Sequence, residues 1–252
     1  MIRRAFPGVL LAALLLGTSA AATGADIKVV SAVPLAPGLE QLADPFKRET
    51  GHVIQVQTAN TAETNRILSA NEPFDVLVTT TALTDQAVKD GRAVPSTRVM
   101  IGRVGIGIFI RNGAPSPNVS TPEALKQALL SADALVYNTA GSGQAVQKML
   151  ENMGIVAQVQ SKVTRPTNAA QTMERIIQGK GSEIGFGLIS EIKPYEQKGV
   201  RMAGPLPSAL QSYINYEAIV SAGSRISTEA GAFIKYLTTG GARKILATTG
   251  VD

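Results

Sequence analysis

Residues Gly102 to Arg111 read Gly-Arg-Val-Gly-Ile-Gly-Ile-Phe-Ile-Arg. Gly105 and Gly107 alternate with Val104, Ile106 and Ile108 in a strand-like run, and glycine inside a strand permits a bend or a close backbone approach. The run fits either an ordinary twisted strand or a strand that crosses between two lobes. What flanks it decides how the fold is read.

Upstream lies a plain βαβαβα series. Ile27–Ala32 reads as a buried strand. Gly38–Thr50 carries Leu39, Leu42, Ala43 and Phe46 at helical spacing, with Pro45 expected to kink that helix or shorten its first turn. Val53–Gln57 alternates like a strand, Ala62–Ala70 reads as a helix, Asp75–Val78 as a strand, and Ala82–Asp90 as a helix stopped by Gly91. Downstream, the polar loop Asn112–Ser120 leads to a helix capped by Ser120 or Thr121, with Pro122 in its first turn. Then come a strand (Ala134–Tyr137), a glycine-rich turn (Asn138–Gly143), a helix (Gln144–Met153), a strand (Val163–Arg165), a helix (Ala169–Gln178) and a strand (Ile184–Leu188). Tyr213–Val220 is the last strand, and helices Thr228–Leu237 and Ala242–Ala247 close the chain. This alternation predicts an α/β fold with largely parallel sheets.

The composition narrows the chemistry. The 252 residues are 44% hydrophobic and 17% charged, with no cysteine, which excludes a disordered chain, a disulfide scaffold, a thiolate metal site and a cysteine nucleophile. The net charge of +5 comes without basic runs or interleaved aromatics, so no nucleic-acid partner is expected. Met1-Ile2-Arg3-Arg4, the apolar run Val9–Leu16 and the small residues of Thr18–Ala25 have the layout of a secretory signal peptide. Cleavage is expected after Ala25, with Ala22 as the alternative, leaving an exported, soluble, periplasmic protein. The one histidine, His52, falls where a helix gives way to a strand and cannot build a zinc site alone. No metal and no cofactor is expected. The chain has no Gly-x-Ser-x-Gly elbow, phosphate loop or His-Glu-x-x-His, and Gly141-Ser142-Gly143 lacks the full nucleotide-binding fingerprint.

What recurs is a small polar cluster where a strand hands over to a helix. Thr58-Ala59-Asn60-Thr61, Thr79-Thr80-Thr81, Asn138–Gly143 and Thr167-Asn168 each precede a helix. Helix starts offer unpaired N–H groups and the positive end of the dipole, and hydroxyl or amide side chains add neutral donors. Any one of these clusters is an ordinary cap; four at the carboxyl ends of strands, where open α/β sheets place ligands, point to an anion site built without metal. Arg103 and Arg165 stand beside the junctions, where either could pair with a carboxylate.

These pieces, in this order and spacing, resemble the periplasmic molybdate-binding proteins and their relatives among type II periplasmic solute-binding proteins. The matching stretches are Ile27–Leu35, Leu39–Gly51 with its ending Phe46-Lys47-Arg48-Glu49-Thr50-Gly51, Pro73–Val78, Met173–Leu188 and Phe233–Gly250. The resemblance implies a type II periplasmic-binding-protein fold: two lobes with mixed, mostly parallel sheets, joined by crossing strands at Gly102–Arg111 and Tyr213–Val220. It implies a signal peptide over residues 1–25, one lobe of residues 26–103 plus 214–252, a second lobe of 104–213, and a monomer.

In molybdate binders two loop serines, backbone amides and one tyrosine hydroxyl hold the oxyanion. Carried over, the first serine position is Pro34, beside Leu35, and the second is Asn60 or Thr61. Backbone donors fall near Ser142 and Ala170, and the tyrosine position is Leu188. Two lost donors would each cost about 1–3 kcal/mol, so molybdate is disfavoured. Arg103, the turn Thr139–Gly143, and Gly204-Pro205-Leu206-Pro207 near Gln211 resemble relatives that handle organic anions. The expected ligand set is therefore Pro34, Leu35, Asn60, Thr61, Thr79, Thr80, Arg103, Asn138, Thr139, Gly141, Ser142, Gly143, Arg165, Asn168, Ala170 and Leu188. The favoured reading is a non-enzymatic binding protein that delivers an organic di- or tricarboxylate to an inner-membrane transporter permease. The alternatives are an isomerase of an unsaturated tricarboxylate such as aconitate, and binding of molybdate or another oxyanion. An isomerase needs a base near the carbon acid, and the helix-start clusters contain neither carboxylate nor lysine.

Overall fold

A computed structural model describes residues 24–252, so all but the last two residues of the expected signal peptide lie outside the described residues. The chain runs β1 (Asp26–Ala32), α1 (Ala36–Thr50), β2 (Val53–Ala59), α2 (Thr61–Ser69), β3 (Val76–Thr80), α3 (Thr81–Lys89) and the long β4 (Val99–Arg111). It continues with α4 (Pro122–Ser131), β5 (Ala134–Val136), α5 (Gly141–Asn152), the single turn α6 (Val156–Val159), β6 (Val163–Thr164), α7 (Ala169–Ile177) and β7 (Glu183–Leu188). The short α8 (Ile189–Ile192), β8 (Val200–Pro205), β9 (Tyr213–Val220), α9 (Ser227–Leu237) and α10 (Gly240–Thr248) complete it.

The strands form one sheet ordered β2-β1-β3-β9-β4-β7-β5-β6, with β8 also on β4. This corrects the expected mostly parallel sheets: four pairings are parallel (β1 with β2 and β3, β5 with β6 and β7) and four are antiparallel (β9 with β3 and β4, β4 with β7 and β8). The cause is β4 itself, which is long enough to hold two sets of partners. Val99–Gly105 pairs with β9, and Ile106–Arg111 pairs with β7 and β8. The glycines that stood out in the sequence sit at that exchange. A Cβ on Gly105 would lie 3.2 Å from the Gln211 amide and the Tyr213 ring, and one on Gly107 would lie 2.8 Å from Ile192 of α8. Small residues let α8 and the 211–213 segment press against the strand.

In the first half of the sheet, α1, α9 and α10 cover one face and α2 and α3 the other. Helix α1 buries Leu39, Leu42 and Phe46 completely, each worth roughly 1.5–3 kcal/mol of burial. Phe46 also meets Phe233 edge-on, with ring centroids 5.0 Å apart. Helix α1 runs unbroken through Pro45. In the second half, Leu135, Ile184 and Phe186 pack toward α4 and α5, while Phe109, Val136, Met173 and Ile176 form the core under α7. Val104, Ile106, Leu188, Leu206 and Tyr216 join both halves in one cluster. Among the described residues, no helix is long and apolar enough to cross a membrane.

Candidate functional site

Register fixes where the helix starts meet. Strands β1, β2 and β3 are parallel and end together, with Ala32 opposite Ala59 and Ser31 opposite Val78. The turns into α1, α2 and α3 therefore leave from one edge. Likewise Val136 pairs with Thr164 and Gly185, so the turns into α5, α7 and α8 leave from one edge of the second half. Both edges border β4, the first through β9. Thr80 pairs with Tyr216, which pairs with Gly102, and Leu188 pairs with Ile106. Gly102 and Ile106 are four residues apart on β4, roughly 13 Å at strand spacing.

Each helix start has its own chemistry. Asn60 caps α2 with Oδ1 accepting from the Glu63 N–H at 3.0 Å, and Asn168 caps α7 in the same way, accepting from Gln171 at 2.9 Å. Their carboxamide N–H groups stay free, and both residues are exposed, as are Thr61, Thr139, Gly141 and Ala170. The sequence placed Asn138–Gly143 in a turn, whereas α5 already begins at Gly141. Asn138 is buried beneath that start. Its Oδ1 accepts from the Ala140 and Gly143 N–H groups at 3.0 and 3.3 Å, leaving the Gly141 and Ser142 amides at the open end of the helix. Thr139 N–H donates to Pro166 O at 3.0 Å, tying the α5 and α7 turns together. At α3, Thr80 caps without a side-chain bond, and Thr79 Oγ1 and Thr81 Oγ1 are buried without partners. Pro34, Leu35 and Leu188 are buried, and none of the three carries a side-chain hydrogen-bond donor.

Thr61 and Thr80 lie at one end of a recess of about 750 Å³ that runs between α2 and α3 as far as Ser69 and Asp90. Of the two arginines, Arg165 stands in the turn between β6 and α7, and Arg103 stands apart from these turns on β4. Arg165 is exposed and lies over the Tyr137 ring at 5.2 Å. Arg103 is exposed and stacks on Tyr213 at 4.0 Å, lining a different recess of about 420 Å³ with Asn215, Arg243 and Asp252. It pairs with Asn215, one residue from the pair of buried Val104 with half-buried Ile214, so strand alternation sends its side chain to the opposite face from Val104 and Tyr216.

Two functional candidates were not anticipated. Gln211 holds the point where β4 changes partners: its Oε1 accepts from Ile106 N–H at 2.9 Å and its Nε2 donates to Ile106 O at 3.0 Å. Gln211→Leu removes both bonds at a buried strand, and a loss of about 1–2 kcal/mol is expected in urea unfolding. The second is Glu191, in the first turn of α8. Burial pushes its carboxyl up to about 7, opposed by the Leu188 N–H. A carboxyl with that proton affinity is what the four polar clusters lacked. Among the described residues no group of histidine, cysteine and acidic side chains could hold a metal ion.

Comparison with known proteins places the geometry in context. Residues 27–252 match the family profile of the bacterial extracellular solute-binding proteins. The chain is 26% identical to an aconitate isomerase from a Pseudomonas species, over 97% of this chain and 95% of that protein. Its fold superposes on the periplasmic molybdate-binding protein of Azotobacter vinelandii with a TM-score of 0.71, at 17% identity, covering 90% of this chain and 98% of the other. The sulfate-binding protein of Mycobacterium tuberculosis gives a TM-score of 0.69, at 19% identity, with 90% and 86% covered.

Proposed function

Because the chain belongs to the bacterial extracellular solute-binding proteins, we propose that it captures a small organic di- or tricarboxylate in the periplasm, for an inner-membrane transporter. The ligand sits between two lobes, residues 26–103 with 214–252 and residues 104–213, where the two sets of strand ends face each other. What supports this reading is that the exposed starts of α2, α5 and α7 present Asn60, Thr61, Gly141, Asn168 and Ala170, while Pro34 and Leu188, to which the family resemblance assigns the hydroxyl positions of molybdate binders, are buried and carry no donor. Dispersed N–H donors without the lost hydroxyls suit an extended carbon skeleton with separated carboxylates better than a compact tetrahedral oxyanion. A thermal-shift screen of organic acids against molybdate and sulfate tests it. A carboxylate at one hundred times its Kd stabilises by about 2.7 kcal/mol, a rise of roughly 5–10 °C in Tm, and the oxyanions should give none.

A second reading is that the bound acid is also isomerised by moving a proton between carbons. It is favoured by the aconitate isomerase relative, alike over nearly the whole of both chains, and by the Glu191 carboxyl, which titrates near neutral pH as a general base must. Proton NMR of cis- or trans-aconitate incubated with the protein separates the two: an unchanged spectrum leaves capture alone, and interconversion at substoichiometric protein establishes turnover.

A further inference from the structure

The buried side-chain atoms without a hydrogen-bond partner include two on consecutive residues, Ser190 Oγ and Glu191 Oε2, both on α8. This turn lies at the boundary between the halves of the sheet. It follows Leu188 directly, which pairs with Ile106 at the partner exchange of β4. On its other side is the closing segment of the chain: a Cβ on Gly250 would lie 3.2 Å from the Ser190 N–H nitrogen, and Asp252 pairs with the Arg103 backbone. Facing it from the first half is Tyr216 of β9, only 2% exposed, whose phenol is pushed up by burial and, next, by the charge of Glu191. Two ionisable hydroxyl-bearing groups, one from each half, therefore act on each other beside the crossing strands.

Among the described residues, no cation forms an ion pair with Glu191. On the turn that follows α8, Lys193 Nζ donates to Thr248 O, Glu196 accepts from the Met202 N–H, and Lys198 lies over Tyr195. On β8, Arg201 donates to Ala114 O; on β7, Glu183 is held by Arg175; on β4, Arg103 stacks on Tyr213. An ionised Glu191 would be an unpaired charge in a site built for anions, whereas its neutral acid is a hydrogen-bond donor.

We propose that Glu191 is a proton-exchanging group of the cleft: as the neutral acid it donates to one carboxylate of the captured anion, with Tyr216 beside it, so that capture takes up a proton. The inference rests on the polycarboxylate reading and adds the residue that makes it proton-linked. By linkage, a bound anion raises the proton affinity of Glu191, and protonation in turn tightens binding by the same factor.

The test is calorimetric titration with trans-aconitate from pH 6 to 9, on wild type and Glu191→Gln, which keeps a donor but cannot ionise. Wild-type affinity is expected to fall by up to about tenfold per pH unit above neutrality, and that of Glu191→Gln to stay flat. Titrating wild type at pH 7 in PIPES and in imidazole reads proton uptake directly, without any variant, and roughly half a proton per ligand is expected. Binding with no proton uptake, or with the same pH profile in both proteins, overturns the assignment and leaves carboxylate capture standing. Failure of the wild type to bind any carboxylate overturns both.

Discussion

Gly143→Ala is expected to lower the thermal midpoint by roughly 6–12 °C, while Gly141→Ala, two residues away, leaves it within about 2 °C. Both glycines lie in the first turn of α5, and neither has a left-handed backbone, so space rather than conformation separates them. A Cβ on Gly141 meets nothing within 4 Å. One on Gly143 would overlap the Asn138 carbonyl oxygen and lie 2.6 Å from its carbon and 2.9 Å from Asn138 Oδ1. Backbone cannot swing aside as a side-chain tip can. The turn must open, Asn138 loses the Gly143 and Ala140 N–H groups it accepts from, and a buried amide is left unsatisfied. About 3 kcal/mol is the expected cost, at the upper end for an added methyl because the contact is with main chain. The same change disorders the α5 donors, so ligand-induced stabilisation should vanish with it. Ser142→Ala is the side-chain control. Its hydroxyl contacts Asn138 only at 3.3–3.4 Å, and differential scanning calorimetry should find a loss below about 1 kcal/mol.

Glu191→Gln should stabilise the ligand-free protein at neutral pH and do little at pH 4.5. The folded carboxyl titrates at about 7 because it is buried, whereas in the unfolded chain it titrates in the usual carboxylate range. Between those values the folded state holds the extra proton, so wild-type stability falls as pH rises from about 4.5 to 7 and then levels off. A shift of that size corresponds to about 3 kcal/mol, all absent from the glutamine variant. Glu63 and Asp133, whose carboxyls are held down by Arg66 and by Ser182, act in the opposite sense, weakening the fold as pH falls through their lowered range. They are common to both proteins and cancel in the difference. Urea midpoints of the pair at pH 4.5, 6 and 8 check this. Parallel curves would mean that Glu191 is ionised in the fold.

The order of strands and helices was legible because apolar periodicity survives in nearly every element, and the partner exchange of β4 was marked by Gly105 and Gly107. The sheet's unity was not. Whether two crossing strands belong to two sheets or extend a single ladder depends on pairings among β4, β7, β8 and β9 that no local pattern encodes. Strand β8 escaped notice because Val200–Pro205 is an edge with one fully buried residue, and Arg201, Gly204 and Pro205 give no alternation. The helix-start clusters were visible as caps, and their shared edge within each half of the sheet followed from the parallel order of their strands. Arg103 was readable as a crossing-strand residue, but its side-chain face was not, since a strand's phase relative to the sheet is set by register. Glu191 is three residues past a small apolar strand in Leu-Ile-Ser-Glu-Ile, a context indistinguishable from an exposed helix start. Only the three-dimensional burial around it gives the carboxyl its proton affinity.

The central claim is that the facing strand ends hold separated carboxylates and not a compact oxyanion. Isothermal titration of the purified protein with trans-aconitate and with molybdate, side by side at pH 6.5, tests it most directly. One-to-one binding of the tricarboxylate at micromolar Kd or better is expected, with no measurable heat from molybdate. Tight molybdate binding with a silent tricarboxylate would contradict it.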